Sequence, residues 1–594
     1  MKFGRGPLLA SNCSRRYAGR ALLCAILAGQ PVAANAQSPP PPVPPTREEV
    51  TRPVTPPQPP PPSRVEVEGG FERAPCALDG PEFRSIRFTL SSAEFEGLQG
   101  LTSADLAPSF APYVGRDVPI STVCQIRDHA SAILRDAGYI AAVQVPQQRI
   151  EGGVVHFRVL MAHLTQVRVR GEATGAEAAL AAYLSRLARR PLFNRFEAER
   201  YLLLASDLPG YTVRLTLRPA GTAPGDVIGD VTVQRLPAYA DAVIQNLGST
   251  ALGPWGGLVR GELYGLTGHG DRTILSLYST SDLQEQQTVQ ILHDMRLGPE
   301  GLVLSGTFTY AWARPTVPDA KILARTLYQS TELAYPIVRR QTETVRGSVG
   351  LDFVNQSVRL DHAEFSRDHL RVLFLRLGID AFGNAKEAGY SSAVPPWHLN
   401  GLVELRQGLG ILGASPDCTA VTCAIPPSRP GSQADATLVR FTGIAELRPT
   451  PTFTLALATR AQYAWQSLMS FEQFGAGNYT VGRGYDPGAI LGDRGFGTQL
   501  EMRFGSRIAR SAKKPAPEFY LFWDQARVSN RDHISSTGGP EYLHSVGSGV
   551  RISWVRFQLD ANLAVPLSKV GFDNRRPGPR LLVSLSTRLW PWNY

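Results

Sequence analysis

Val555-Arg556-Phe557-Gln558-Leu559-Asp560-Ala561-Asn562-Leu563-Ala564-Val565 alternates almost without a break. Side chains along a strand point to opposite faces in turn, so Val555, Phe557, Leu559, Ala561, Leu563 and Val565 share one face, with Arg556, Gln558, Asp560 and Asn562 on the other. Phe453, Leu455, Leu457, Ala461, Tyr463 and Trp465 stand likewise against Thr454, Arg460 and Gln462. Segments of this texture, separated by Gly, Asp, Asn, Ser and Pro, fill residues 237–594. A soluble sandwich alternates too, with its apolar face inward. A run this long behind a secretory leader fits a membrane barrel, because only closure pairs all the backbone of a sheet in hydrocarbon. Strands of ~10 residues with turns and loops of about equal length give roughly 16 to 18 strands, and sixteen antiparallel strands are expected. The last, over 581–590, runs into Trp590, Trp592 and Tyr594, aromatics suited to an interfacial girdle.

Upstream, no apolar run approaches the ~18 residues of a membrane helix. Residues 1–36 read as a signal peptide: Lys2, Arg5, Arg15, Arg16 and Arg20 precede the apolar 21–27, and Ala34-Asn35-Ala36 offers a cleavage site. Removing those five cations takes the net charge from +10 to +5 (10 − 5), too modest to argue for nucleic acid. Residues 37–75 are proline-rich and read as a semi-rigid periplasmic tether in polyproline II, with only the short polar piece 46–52 between prolines. No helical plug is expected from it. Of four cysteines outside the leader, Cys76 and Cys124 flank the first folded segment and Cys418 and Cys423 bracket a polar loop; export to an oxidising compartment predicts two disulfides. No histidine stands near them at zinc-ligand spacing, so no metal is expected.

Two small α+β units follow. Residues 76–163 run strand-helix-helix-strand-strand, with a strand over 85–90, a helix over 121–137 and a hairpin of 139–145 with 154–160. Residues 164–236 repeat the order, with helices over 176–188 and 195–206 and a hairpin of 212–217 with 227–234 across Pro224-Gly225. Exposed sheet edges suit capture of an extended polypeptide by strand addition.

These residues resemble the two-partner secretion transporters, the haemolysin secretion/activation branch of the outer-membrane barrels that carry POTRA domains. Gly138-Tyr139, then Pro146-Gln147-Gln148 and Gly153, match the first POTRA domain of that branch; Glu199-Arg200-Tyr201-Leu202-Leu203-Leu204 with Asp207-Leu208-Pro209-Gly210 matches the second. Val481-Gly482-Arg483-Gly484-Tyr485-Asp486 is similar to the family's Arg-Gly-aromatic motif in the sixth extracellular loop, which folds into the lumen around 471–497. The family usually has valine directly before the arginine, whereas Gly482 intervenes here. Parity places Leu500, Met502 and Phe504 toward lipid and Glu501 and Arg503 in the lumen; in the next strand Phe519, Leu521 and Trp523 face lipid, Phe522 and Asp524 the lumen. Phe522-Trp523-Asp524 matches the family's Phe-x-Asp motif, so the resemblance implies that Arg483 pairs with Asp524, with Glu501 nearby.

The resemblance further implies an outer-membrane pore that exports a secreted protein with an N-terminal secretion domain. The first and second POTRA motifs would form its recognition region. Partners would be outer-membrane lipid and lipopolysaccharide, and during biogenesis the barrel assembly machinery and periplasmic chaperones. No cofactor is expected. With the loop as the chief obstruction, appreciable conductance is predicted. An outer-membrane protein assembly factor is the alternative. An enzyme is not expected: no Gly-x-Ser-x-Gly elbow occurs, and His293 and His544 have no identifiable catalytic partner in sequence. A passive porin would not require the periplasmic repeats.

Overall fold

The computed structural model describes residues 46–51, 65–67, 76, 78, 80–83, 85–188, 192–317, 320–384, 390, 394–417, 422–506, 508, 514–531, 539–571 and 575–592. The signal peptide expected over 1–36 and most of the tether fall outside them. Sixteen antiparallel strands, each paired with its neighbour in sequence and the last with the first, close a barrel. They are β1 (Ala238–Gln245), β2 (Gly256–Tyr264), β3 (Arg272–Thr280), β4 (Gln286–Leu297), β5 (Leu302–Ala313), β6 (Ala320–Arg339), β7 (Glu343–Leu360), β8 (Ala363–Phe382), β9 (Trp397–Gly408), β10 (Thr437–Thr450), β11 (Phe453–Ala464), β12 (Arg494–Gly505), β13 (Ala516–Ser529), β14 (Glu541–Trp554), β15 (Phe557–Pro566) and β16 (Arg580–Trp590). The pleat turns Leu377, Leu447, Leu457, Phe519 and Leu563 outward and exposed, while Arg406, Asp352, Glu501 and Asp524 are buried inside the wall. That inversion is what a lipid-facing barrel requires.

Alternation alone misplaces one strand start. Val555 and Arg556 form the two-residue turn between β14 and β15, with Trp554 opposite Phe557 and Val555 at φ 52°. A tight hairpin demands positive φ, and this turn geometry overrides the apolar pattern.

The chain before the barrel folds into two α+β units. In the first, strands Ser92–Glu96, Val154–Met161 and Ala141–Gln144 lie in that order, covered by helix Thr122–Asp136. Single 3-10 turns at Ala107–Ser109 and Ala111–Tyr113 stand where a second helix was expected; Pro108 and Pro112 lack the amide donors a longer helix needs. Cys76 and Cys124 are disulfide-bonded, closing a loop of sequence separation 48. Cys423 is also disulfide-bonded, while Cys418 lies outside the described residues. In the second unit, helices Glu177–Ala188 and Arg195–Ser206 bury Leu180, Tyr183, Leu184, Leu202 and Leu204 against the sheet. Val65–Val67 runs parallel along its edge strand Tyr211–Pro219.

The second POTRA motif sits at a joint with the barrel. Asp207 accepts two hydrogen bonds from Arg339 at the end of β6, from Nε at 2.7 Å and Nη2 at 2.8 Å. Leu208 is core and faces the β2–β3 turn at Gly270; Gly210, at φ +78°, packs on the Tyr264 ring. Pro209 connects them. Arg200 donates to the Pro336 carbonyl at 3.0 Å, and Glu199 accepts from the Gln341 amide at 2.6 Å. Gly138 and Tyr139 likewise join the two units: the Gly138 carbonyl accepts from the Arg195 amide at 2.7 Å, and Tyr139 forms a bridge with Asn194. Gln148 ties its own loop, its side chain pairing with both backbone groups of His156 at 2.7 Å. Gln147 is exposed and Pro146 half-buried beside it.

Arg339→Ala removes a bidentate pair that is partly open to water, worth about 1 kcal/mol. Expected is faster amide exchange in helix Arg195–Ser206 and the 340–342 turn, with unchanged heat-modifiable mobility of the barrel; equal exchange in both proteins would refute the joint.

Candidate functional site

The connection between β11 and β12, residues 465–493, turns back into the barrel and carries its own short hairpin, Phe474–Ala476 with Ile490–Gly492. Its tip holds Arg483. Gly482 has φ +117°, and a Cβ there would meet Leu543 Cδ1 at 2.6 Å, so the residue inserted before the arginine must lack one. Val481 remains buried beside Gly497, filling the pocket next to the arginine. Gly484 passes so close to the wall that a Cβ would lie 3.0 Å from Pro566 N and Ser545 Cβ. Tyr485 donates to the His544 carbonyl at 2.8 Å.

Arg483 clasps the wall with its backbone and its whole guanidinium. Its amide and Nε donate to Asp524 Oδ2 at 2.9 and 3.0 Å, Nη2 to Asp524 Oδ1 at 2.7 Å, and Nη1 to Glu501 Oε1 at 2.6 Å. The guanidinium stacks on Phe522, 3.7 Å from the ring centroid. Parity explains this grouping: Glu501 of β12 opposes Phe522 of β13, and Asp524 lies two residues on, on the same inner face. Glu501 also accepts from Arg551 Nη2 at 2.9 Å and Arg503 Nε at 2.6 Å, so a fork of planar donors saturates both carboxylates.

A second clasp, absent from the sequence reading, holds the descending arm of the same loop. Arg406 of β9 is fully buried; its Nε and Nη2 donate to Glu472 at 3.0 and 2.8 Å, Nη2 to Asp352 at 2.8 Å and Nη1 to Glu404 at 2.5 Å. Arg440 donates to Glu472 at 2.8 Å, and Arg376 to Glu404 and Glu332 at 3.2 and 2.6 Å. The signal was available: Val403 and Leu405 face out, which puts Glu404 and Arg406 inside.

The lumen also holds a helix, Arg47–Thr51, where the sequence was expected to supply only tether and no plug. Thr46 and Glu49 form a capping box: the Glu49 amide donates to Thr46 Oγ1 at 3.3 Å and the Thr46 amide to Glu49 Oε2 at 2.9 Å. Glu48 pairs with Arg460 of β11 at 2.7 Å, Arg47 lies 3.9 Å from both Glu404 and Glu472, and Val50 is buried among Tyr328, Val354, Leu370 and Phe471. One turn is enough here because wall and loop supply the partners that an isolated short helix lacks. Arg47 completes a balanced set with Arg376, Arg406 and Arg440 against Glu332, Asp352, Glu404 and Glu472. Beside the helix, toward the second POTRA domain, a cavity of about 980 Å³ remains, lined by Arg346, Ser348, Thr442 and Asp207 among others.

Arg406→Met leaves three buried carboxylates short of a cation, a loss of about 3–5 kcal/mol for a broken buried pair. The 474–492 hairpin is then expected to become protease-accessible in barrels that still shift on heating; a hairpin as resistant as in the parent would refute the second clasp.

Residues 228–552 match the family of haemolysin secretion/activation proteins ShlB/FhaC/HecB, and residues 88–161 match the ShlB-type POTRA domain. The heme/hemopexin transporter protein HuxB of Haemophilus influenzae is 23% identical over 207 residues, 33% of this chain and 36% of its own, so the match spans about a third of that curated relative. CdiB from Escherichia coli shares the fold with TM-score 0.68 at 17% identity, covering 87% of this chain and 93% of that one; CdiB from Acinetobacter baumannii gives 0.60 at 16% identity, with 85% and 90% covered. BamA from Haemophilus ducreyi is a more distant fold neighbour at TM-score 0.51 and 12% identity, covering 84% of this chain and 100% of that one. The barrel spans the outer membrane with its POTRA domains in the periplasm. A sixteen-stranded wall, ShlB-type POTRA sequence and a match over more than half the chain place it together: this chain belongs to the ShlB/FhaC/HecB family of haemolysin secretion/activation proteins.

Proposed function

We propose that the chain exports a secreted partner protein by two-partner secretion, taking it up in the periplasm through its POTRA domains and threading it unfolded through the barrel lumen. The observation that carries this reading is the inward loop held on two clasps, because a passive pore needs neither a folded-in loop nor periplasmic domains. Family membership across 228–552 supports it. The Arg483 clasp acts as a register pin that holds the loop until a chain is handed over. In the first POTRA domain, the end strand Ala141–Gln144 and the adjoining Pro146-Gln147-Gln148 loop are the surface for strand addition by an extended segment of the partner. Direction comes from folding at the cell surface, and no catalytic step belongs to this scheme. Lipopolysaccharide and lipid contact the outer band, while barrel assembly machinery and periplasmic chaperones act during biogenesis.

The test is secretion of a genome-adjacent candidate partner in a deletion strain complemented with parent, Arg483→Ala, Asp524→Ala or the swapped pair, with barrel abundance checked by heat-modifiable mobility. Expected is roughly a tenfold or greater loss for either single variant at normal barrel levels, as for a broken charged hydrogen bond of about 1.5–3 kcal/mol, and partial recovery in the swap. Equal secretion from every strain, the deletion included, refutes the export reading for that partner. A general fall in other outer-membrane proteins in the deletion strain would point to an assembly factor.

A further inference from the structure

The barrel closes where β1 meets β16, and this seam is its shortest ladder. Ala240 to Gln245 align with Trp590 back to Ser584 in six pairs interrupted by a bulge, whereas the flanking joints of β1 with β2 and β15 with β16 align eight each. Beyond Gln245 the Asn246 amide still donates to the Val583 carbonyl at 3.1 Å, and its side chain donates Nδ2 to the Leu581 carbonyl at 2.8 Å and accepts from the Val583 amide at 2.6 Å.

The inward loop reaches both sides of this joint. Asp486, three residues past the clasp arginine, accepts from the Thr250 amide at 3.1 Å and Thr250 Oγ1 at 2.6 Å, in the connection that follows β1. Its other oxygen lies 2.7 Å from Arg580 Nη1, the first residue of β16. Arg580 also donates to the Gly248 carbonyl at 3.3 Å, and Asn478 of the loop donates to the Leu247 carbonyl at 2.9 Å. A single carboxylate therefore ties the first strand's connection to the last strand from the lumen side, and it does so only while the loop is inside.

We propose that Asp486 is a positioning residue that staples the β1–β16 seam, so that loop insertion and closure of the distal half of the seam are one coupled state. Withdrawing the loop unfastens that end of the shortest ladder and leaves the other fifteen joints as they are. The two charge-assisted bonds from Thr250 and the ion pair with Arg580 are of a strength that makes their loss visible locally.

The experiment is amide hydrogen exchange on the full chain in lipid nanodiscs. Asp486→Ala is expected to speed exchange in residues 242–246 and 581–586 by about tenfold or more, leave the β7–β8 pair unchanged, and be partly rescued by Asp486→Glu. Arg483→Ala, which keeps Asp486 but frees the loop tip, is expected to loosen the same residues. Parental exchange at the seam in Asp486→Ala, or an equal rise in every strand, overturns the proposal. If Asp486→Ala fails to assemble, Thr250→Val with Arg580→Gln removes the hydroxyl bond and the ion pair to Asp486 and leaves only the Thr250 amide bond, and parental seam exchange there overturns it equally.

Discussion

A sheet placed in hydrocarbon has no water to satisfy its edges, so each peptide group of the wall must find a partner within the wall itself. Closure of β1 on β16 meets that demand, and the remaining features of the molecule follow from it. Once the sheet is closed, the pleat sends every second side chain into a confined interior. Apolar residues then serve the outer face, and charged residues gather in clusters within the lumen. A seam of only six aligned pairs makes this closure the least redundant part of the wall, which is why contacts reaching it from the loop carry weight.

Confinement gives the lumenal charges their organisation. In bulk water, Arg483 and Asp524 would attract each other weakly; between the walls they are buried, stacked on Phe522 and flanked by Glu501, Arg503 and Arg551. Removing one ion from such a cluster costs more than its pairwise attraction suggests, because the others stay behind without compensation. The same holds around Arg406, where the loop's Glu472 and the helix's Arg47 add one charge of each sign to three arginines and three carboxylates of the wall. Loop, helix and wall are thus linked through shared carboxylates.

Much of this was legible in the sequence because strand parity is a strict two-state code. It put Glu501, Asp524 and Phe522 on one inner face, and the family motif supplied Arg483 as their counterpart. Parity also held Arg406, but an inward arginine among many has no local mark, and its importance depends on Glu472 arriving from a loop 66 residues away in sequence. The helix at 47–51 was obscured by the prolines around it: the capping box Thr46-Arg47-Glu48-Glu49 was present, yet five residues form no stable helix without the wall and loop around them. The joint made by Asp207 to Gly210 has no local mark either: its carboxylate answers Arg339, a residue more than a hundred positions downstream whose proximity only the fold creates.

The central claim is that a polypeptide passes through the lumen. It is tested most directly by placing a photoreactive residue at lumen-facing Ser348 or Thr442, or at lipid-facing Leu377 or Leu447, and crosslinking a partner stalled in transit by a folded C-terminal fusion. Crosslinks from the two lumenal positions and none from the two lipid-facing ones are predicted. Crosslinks confined to the lipid-facing positions, or a stalled partner that touches neither set, would contradict the account.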